Sequence, residues 1–394
     1  MTEHPLKGAV EVLPQRLYFI VLRAPPRANA SSHTTRSAHY FSIDDELVYW
    51  NFFLDFGPLN LGQLYRFSAL LNSKMTDSRL SKKIIYFFCG SEGTKRANAA
   101  VLICAWQILY MGRTPDEAFE EFRGAAFPAF HDASPCVCTY KLGVLDVLRG
   151  LAKAKLYNFF NFDTFDVQEY EFFEQVENGD LNWIIDNKIL AFAGPHYTNA
   201  LSKEGYRTLT PDDYIPYYKS KNVDLVIRLN KKYYDEQKFI DAGINHFEQY
   251  YLDGSVPPKK ILKKILREMD RCDGAMAIHC KAGLGRTGTC IGAWMMKHYN
   301  FTAAEAIGWM RICRPGSVIG PQQQFMVEIE QEMWHEGDLV KNTPSRGLSA
   351  PSEDDAEDEH VPRSLRNKKD ERIVGRVGQG DALRARRMVS TARN

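Results

Sequence analysis

Ala275-Met-Ala-Ile-His-Cys280-Lys-Ala-Gly-Leu-Gly-Arg286-Thr287-Gly288 is the stretch whose reading decides the fold. Ala275 to Ile278 is a short apolar run that reads as a buried strand, and Thr289 to Tyr299 has the pattern of a helix. Between them, Lys281, Ala282, Gly283, Leu284 and Gly285 form a glycine-rich loop. Strand, loop and helix N-terminus together make an anion cradle, because unpaired N–H groups converge there and the helix dipole favours negative charge. A cysteine at the bottom of such a cradle is expected to be a thiolate at neutral pH. Five residues separate Cys280 from Arg286, which lets the loop curl until the guanidinium faces the sulfur. An arginine fork matches two oxygens of a phosphoryl group bidentately, which lysine does not. The competing reading is a buried cysteine beside a glycine turn. Cysteine, loop, arginine and hydroxyl residue in this order, between strand and helix, favour a nucleophile over it.

Cleaving a phosphate ester from serine also needs an acid for the poor alkoxide leaving group. Asp253 is the candidate, because it ends a predicted strand and precedes Gly254 and Pro257-Pro258 on a loop suited to move. A plain Asp-Gly turn is the alternative. Thr287 is expected to donate to the sulfur as it leaves, or to cap the helix. His279 is expected to hold loop backbone rather than act as a base. Gln322 and Gln323 follow Gly320-Pro321 and either position a hydrolytic water or cap the next helix. No metal and no cofactor is implied.

The 394 residues suffice for two domains with additions, and 44% hydrophobic with 12% aromatic content suffices for real cores. A net charge of +1 gives no argument for nucleic acid or membrane partners. Eight scattered cysteines lack metal-ligand spacing and suggest a reducing compartment, nucleus or cytoplasm. No stretch approaches the length of a membrane span, and the N-terminus lacks signal-peptide order.

Strands are predicted at Leu13 to Leu22, around Tyr40-Phe41, and at Lys83 to Phe88, with helices over Asn60 to Leu71 and Ala97 to Leu109. Further strands are predicted at Ile189 to Phe192, from Val223 towards Asn230, and at His246 to Leu252, with a helix over Ile261 to Arg271. Strands alternating with helices argue an α/β fold with largely parallel sheets. A shift of 188 positions places Ala105-Trp106 on Ala293-Trp294, Thr114-Pro-Asp-Glu117-Ala118 on Thr302-Ala-Ala-Glu305-Ala306, and Arg123 on Arg311. The chain therefore reads as two copies of one unit. The first copy is expected to be inactive, because Glu92 places a carboxylate in the loop where Cys280 or its neighbours stand in the second. Residues 10–165 form this first domain, 166–182 an acidic linker helix, 183–335 the catalytic domain and 336–394 a tail too polar to fold. In the linker, Glu171 and Glu174 share a helix face and either solvate it or wall a site for a basic substrate. Thr343-Pro344-Ser345-Arg346 in the tail either is a proline-directed kinase site whose phosphorylated form suits the chain's own cradle, or is a chance Thr-Pro.

His279-Cys280-Lys-Ala-Gly-Leu-Gly-Arg286-Thr287-Gly288, Asp253-Gly-Ser upstream and Arg314-Pro-Gly-Ser-Val-Ile-Gly-Pro-Gln-Gln323 downstream resemble the mitotic-exit dual-specificity phosphatases of the cell-division-cycle-fourteen type. The resemblance extends through Phe165-Asp-Val, Val176-Glu-Asn-Gly-Asp180, Arg228-Leu-Asn-Lys-Lys232 and Lys95-Arg-Ala-Asn-Ala-Ala100, over roughly residues 10–335. It implies two tandem phosphatase-like domains joined by a linker helix, of which only the second is catalytic. It also implies phosphoprotein substrates of proline-directed kinases, with phosphoserine-proline and a basic residue further on, and maps the acidic groove to Glu171 and Glu174. Two other readings stand beside it: a phosphoinositide phosphatase, which shares His-Cys-Lys-Ala-Gly, and a phosphoprotein-binding scaffold without turnover.

Overall fold

The computed structural model describes residues 5–23, 34–201, 207–342 and 379–391, and its strands form two sheets. The first holds β1 (Val10–Leu13), β2 (Leu17–Val21), β3 (Ala38–Phe41) and β4 (Ile84–Cys89) in the order β1-β2-β4-β3. The second holds β5 (Leu181–Ile185), β6 (Ile189–Ala193), β7 (Val223–Arg228), β8 (Asn245–Glu248) and β9 (Ala275–Cys280) in the order β5-β6-β9-β7-β8. Each sheet is antiparallel only at its first pair, β1 with β2 and β5 with β6, and parallel elsewhere. Sheet order and strand direction thus repeat the duplication read from the sequence, with β8 as the second copy's addition.

The helices are α1 (Leu61–Thr76), α2 (Gly93–Tyr110), α3 (Pro115–Phe119), α4 (Val144–Leu156), α5 (Val167–Glu174), α6 (Pro211–Ser220), α7 (Gln237–Asp241), α8 (Lys259–Arg271), α9 (Gly285–Tyr299), α10 (Ala303–Cys313), α11 (Pro321–Asn342) and α12 (Gln379–Thr391). Thr114 and Thr302 both form capping boxes, with Glu117 and Glu305, and start the equivalent helices α3 and α10. In α8, Leu262, Ile265, Leu266 and Met269 recur at helical spacing and are all buried, so the lysines between them face outward. No helix among the described residues is long and apolar enough to cross a membrane.

Four predicted elements differ from the structure. The linker helix predicted over 166–182 ends at Glu174, and Leu181 and Asn182 already belong to β5, because they pair with β6. Leu13 to Leu22 is not one strand, because Gln15 takes a positive φ of 58° and turns β1 back on β2. The strand predicted at His246 to Leu252 is shorter, since the chain leaves the sheet after Glu248. The tail is not structureless throughout: α11 continues to Asn342, and α12 lies within residues 336–394. Composition could not show this, because α12 does not bury its surface on itself. It buries Leu383 among Phe52, Ala133, Ala282, Leu284 and Ile319, which come from both domains. Thr343 to Arg346, the expected kinase site, lies outside the described residues.

One hydrophobic core runs through both domains. Helix α4 of the first packs on α10 of the second, where Gly150 lets the backbones approach. A Cβ at Gly150 would stand 2.3 Å from the carbonyl oxygen of Glu305. Lys153 Nζ bonds Glu305 Oε2 at 2.6 Å beside this crossing, and Trp309 Nε1 donates to the Ile184 carbonyl at 2.9 Å. Gly150→Ala should therefore destabilise the chain by about 1–3 kcal/mol, against the ~1 kcal/mol that alanine offers in an open helix. Denaturant unfolding is the measurement, and an unchanged or raised midpoint would show that the crossing is not tight.

Candidate active site

Strands β6, β9, β7 and β8 run parallel, so the loops that follow them gather at one end of the sheet. The loop after β9 is the cradle, and β9 is buried along its whole length. Cys280 ends the strand at 3% exposure, and Gly285 opens α9, whose first N–H groups have no acceptor within the helix. Gly283 makes the curl possible: its φ is +66°, and a Cβ there would lie 2.0 Å from the carbonyl oxygen of Phe192.

Arg286 is 3% exposed and is aimed across the cradle. Its Nη1 donates to the Tyr251 carbonyl at 3.0 Å and its Nη2 meets Asp253 Oδ1 at 3.0 Å, while Nε is buried without a partner. A buried, unpaired N–H beside a buried sulfur is a donor waiting for an acceptor. Burial pushes the Cys280 thiol up, but the charge of Arg286 and the hydroxyl and N–H of Thr287 outweigh burial and the opposing Asp253, so the net shift is downward. The Thr287 hydroxyl is buried and has no other hydrogen-bond partner. The expectations for Cys280, Arg286 and Thr287 thus converge on one point in space, with Asp253 in contact.

His279 has the structural part expected of it. Its Nδ1 donates to the Cys280 carbonyl at 2.8 Å and its Nε2 faces the Tyr234 hydroxyl at 2.7 Å, while burial holds its pKa well below the usual range. Gln322 and Gln323, expected either to position water or to cap the next helix, make bracing bonds at the edge of the cradle, where the Gln322 amide lies against Gly285. Gln322 accepts from Ile319 N at 3.1 Å and donates to the Ser255 carbonyl at 3.1 Å, tying the Asp253 loop to the segment before α11. Gln323 accepts from Arg311 Nη2 at 2.8 Å.

Arg314 is the residue that reading the sequence quoted but gave no role. Fully buried, it donates to the carbonyls of Gly283 at 2.8 Å and Ala282 at 2.9 Å and pairs with Asp180 at 2.9 Å. Holding two loop carbonyls outward turns the N–H groups of the same peptides inward. Burial pulls its pKa down to about 10, with Asp180 opposing, so it remains charged. Only the spacing from Cys280 to the Arg-Pro-Gly turn hinted at it.

Glu171 and Glu174 line a groove beside the cradle together with Asp45, Glu46, Trp50 and Arg387, which the sequence reading did not join to them. Glu171 is paired with Arg66 of α1, and Glu174 accepts from Asn60 Nδ2 at 3.0 Å. Burial raises the Glu174 pKa, with Arg387 and Asn60 opposing. Helix α12 lies over the mouth. Gly380 N donates to Asp253 Oδ2 at 2.9 Å, Asp381 pairs with Lys281, and Arg387 Nε meets Asp180 at 2.9 Å with Glu174 3.9 Å away.

In the first domain the corresponding loop is filled from within. Asp44 Oδ2 accepts from Gly90 N at 2.7 Å and lies 3.9 Å from Lys95, and burial raises the Cys89 thiol to about 12.

Residues 11–154 match the family described as "Dual specificity protein phosphatase, N-terminal half", and residues 216–332 match "Dual specificity phosphatase, catalytic domain". Fold and cradle thus define a tandem protein of the dual specificity phosphatase class. The chain is 49% identical over 348 residues to human dual specificity protein phosphatase CDC14A, covering 86% of this chain and 57% of that one. It is 43% identical over 387 residues to mouse CDC14B, covering 94% of this chain and 78% of that one. To the tyrosine-protein phosphatase CDC14 homolog of Schizosaccharomyces pombe it is 38% identical over 326 residues, covering 80% and 60%. The chain belongs to the CDC14 dual specificity phosphatase family. It spans just over half the length of the CDC14A relatives it matches.

Because Arg286 and Thr287 together hold the thiolate down, Arg286→Ala should shift the pH midpoint of Cys280 alkylation upward, and Thr287→Val should shift it by less. Site-resolved mass spectrometry after iodoacetamide pulses at graded pH reads this, and coincident midpoints in all three proteins would refute the assignment.

Proposed function

We propose that this chain is a protein phosphatase that hydrolyses phosphoserine followed by proline, with phosphotyrosine and phosphothreonine as further substrates, and so reverses proline-directed kinase phosphorylation in cell-cycle control. The observation that carries the reading is the buried Cys280 sulfur, lowered in pKa, beside Arg286 with its unpaired Nε and within one contact of Asp253.

In the first step the Cys280 thiolate attacks phosphorus and the bond to the serine oxygen breaks. Protonated Asp253 gives its proton to that oxygen, while Arg286 and the N–H groups from Lys281 to Arg286 hold the phosphoryl oxygens. In the second step water attacks the phosphocysteine, Asp253 takes a proton, and the sulfur leaves as a thiolate with the Thr287 hydroxyl donating to it. Inorganic phosphate and the free hydroxyl are the products. The first domain, its loop filled by Asp44, contributes a wall and no chemistry.

The groove of Glu171, Glu174, Asp45 and Glu46 is the place for a basic residue three positions after the phosphoserine. Arg387 supports this, because its guanidinium already lies between Asp180 and Glu174. The same carboxylates disfavour an anionic membrane surface, which argues against the phosphoinositide reading, and the assembled Cys280, Arg286 and Asp253 argue against a scaffold.

Cys280→Ser should abolish turnover while retaining phosphopeptide binding by calorimetry. Asp253→Ala should lower kcat on phosphoserine peptides by about 10²–10⁴-fold yet spare an aryl phosphate whose leaving group needs no proton. Equal losses on both substrates would remove Asp253 from the acid role. Glu174→Gln should reduce kcat/KM for a peptide with lysine at the third position by about tenfold, the scale of a partly desolvated charge pair, and leave the alanine peptide nearly unchanged. Equal reductions would point to a folding defect.

A further inference from the structure

Helix α12 places three side chains on three different parts of the mouth. Leu383 enters the apolar patch of Phe52, Ala133, Ala282, Leu284 and Ile319, and Arg387 enters the acidic groove. Arg384 goes elsewhere. Its Nη1 meets His196 Nε2 at 2.6 Å and its Nη2 donates to the Gly194 carbonyl at 2.8 Å. The cavity around it holds ≈ 160 Å³ and is lined by Gly194, His196, Asn230, Tyr233 and Lys281.

This cavity is built to accept hydrogen bonds. Gly194 and His196 follow β6 and Asn230 follows β7, the two strands that flank the nucleophile strand, so tertiary pairing brings them together. Asn230 is 4% exposed and its Oδ1 is buried without a partner. His196 must be neutral at the nitrogen that receives Arg384, and burial, with Arg384 and Lys281 adding to it, brings its pKa down to about 4 despite Asp381. Besides Arg384 itself, the cation among the described lining residues is Lys281, which Asp381 neutralises over the cradle, where a phosphate would stand in a substrate complex.

The spacing of these contacts fits an extended peptide. Asp381 and Arg387 are six residues apart on a helix, about 9 Å at 1.5 Å per residue. A phosphoserine and the third residue after it are about 10 Å apart in an extended chain. Side chains alternate along such a chain, so the first and third residues after phosphoserine point one way, as Leu383 and Arg387 do. The second points the other way, towards Arg384's cavity.

We propose that the Gly194 carbonyl, His196 Nε2 and Asn230 Oδ1 form a subsite for the second residue after the phosphoserine and favour arginine or another donor-bearing side chain there. This rests on the phosphoserine-proline reading above. His196 acts here on substrate choice and not on the reacting atoms.

The test uses the full chain and three peptides: phosphoserine-proline-arginine-lysine, the same with alanine at the second position, and phosphoserine-proline-arginine-alanine, with an aryl phosphate as control. Arginine over alanine at the second position should raise kcat/KM about fivefold, a modest value for a charge-assisted bond at a half-open site. His196→Ala should reduce that ratio to near one, His196→Gln should restore part of it, and the lysine preference at the third position should persist in both. An equal ratio in the wild-type and His196→Ala proteins, or no preference in the wild type, overturns the subsite. Turnover of the aryl phosphate with no peptide cleaved overturns the phosphoserine-proline reading and this inference with it. Cleavage that depends on the third position alone overturns only the subsite. Should His196→Ala lose aryl phosphate turnover, Arg384→Ala decides, because vacating the cavity should lower KM for the arginine peptide more than for its alanine counterpart. Equal changes overturn the proposal.

Discussion

The Cys280 sulfur is almost wholly removed from water while its neighbours favour its charged form, and the second domain is arranged around that opposition. Burial alone would protonate Cys280, as it does Cys290 in the next helix, whose pKa rises to about 12. The difference between the two is what faces them. Cys280 has the Arg286 guanidinium, the Thr287 hydroxyl and the start of α9. At Cys290 the Tyr251 hydroxyl at 3.5 Å and the charge of Arg286 also favour the thiolate, but burial and the neighbouring Cys280 outweigh them. Keeping His279 neutral belongs to the same arrangement, since its ring serves to fix the Cys280 carbonyl and thereby the direction in which the loop leaves the strand.

A second set of charges braces the loop from beneath. Arg314 clamps the carbonyls of Ala282 and Gly283 from below and is itself held by Asp180 and Asn182. A buried pair of this kind is costly in desolvation and brings little net stability. Its return is geometric, because holding these carbonyls outward keeps the N–H groups of the same peptides pointed inward. Asp180 also receives Arg387, so the residue that supports the cradle ends one side of the groove as well.

The duplicated half acts through packing. Asp132 Oδ2 accepts from Gly320 N at 2.6 Å, Arg66 pairs with Glu171, and Phe52 contributes to the apolar patch at the mouth. Asp44 occupies that half's own loop, and its residues wall one side of the groove and the mouth. The continuous core across α4 and α10 makes that wall part of one body rather than a neighbour on a tether.

Local chemistry was legible in the chain wherever function depends on residues close in sequence. Cys280, Arg286 and Thr287 share one loop and one helix turn, so their meeting follows from strand–loop–helix geometry alone. The capping boxes at Thr114 and Thr302 and the shared offset of the two copies were equally local. What the order of residues could not state was anything that depends on two distant strands lying side by side. Gly194, His196 and Asn230 meet only because β6 and β7 flank β9, and Asp45 joins Glu174 only because the first domain folds against the linker. Arg314 reads as one arginine among many until the return of the chain after α10 places it beneath the loop. The same holds for α12, whose composition is that of an unfolded tail. A segment with one buried leucine and a row of arginines has no core of its own. Its helix exists where the acceptors of Gly194, His196, Asp180 and Asp253 have already been assembled by the rest of the fold.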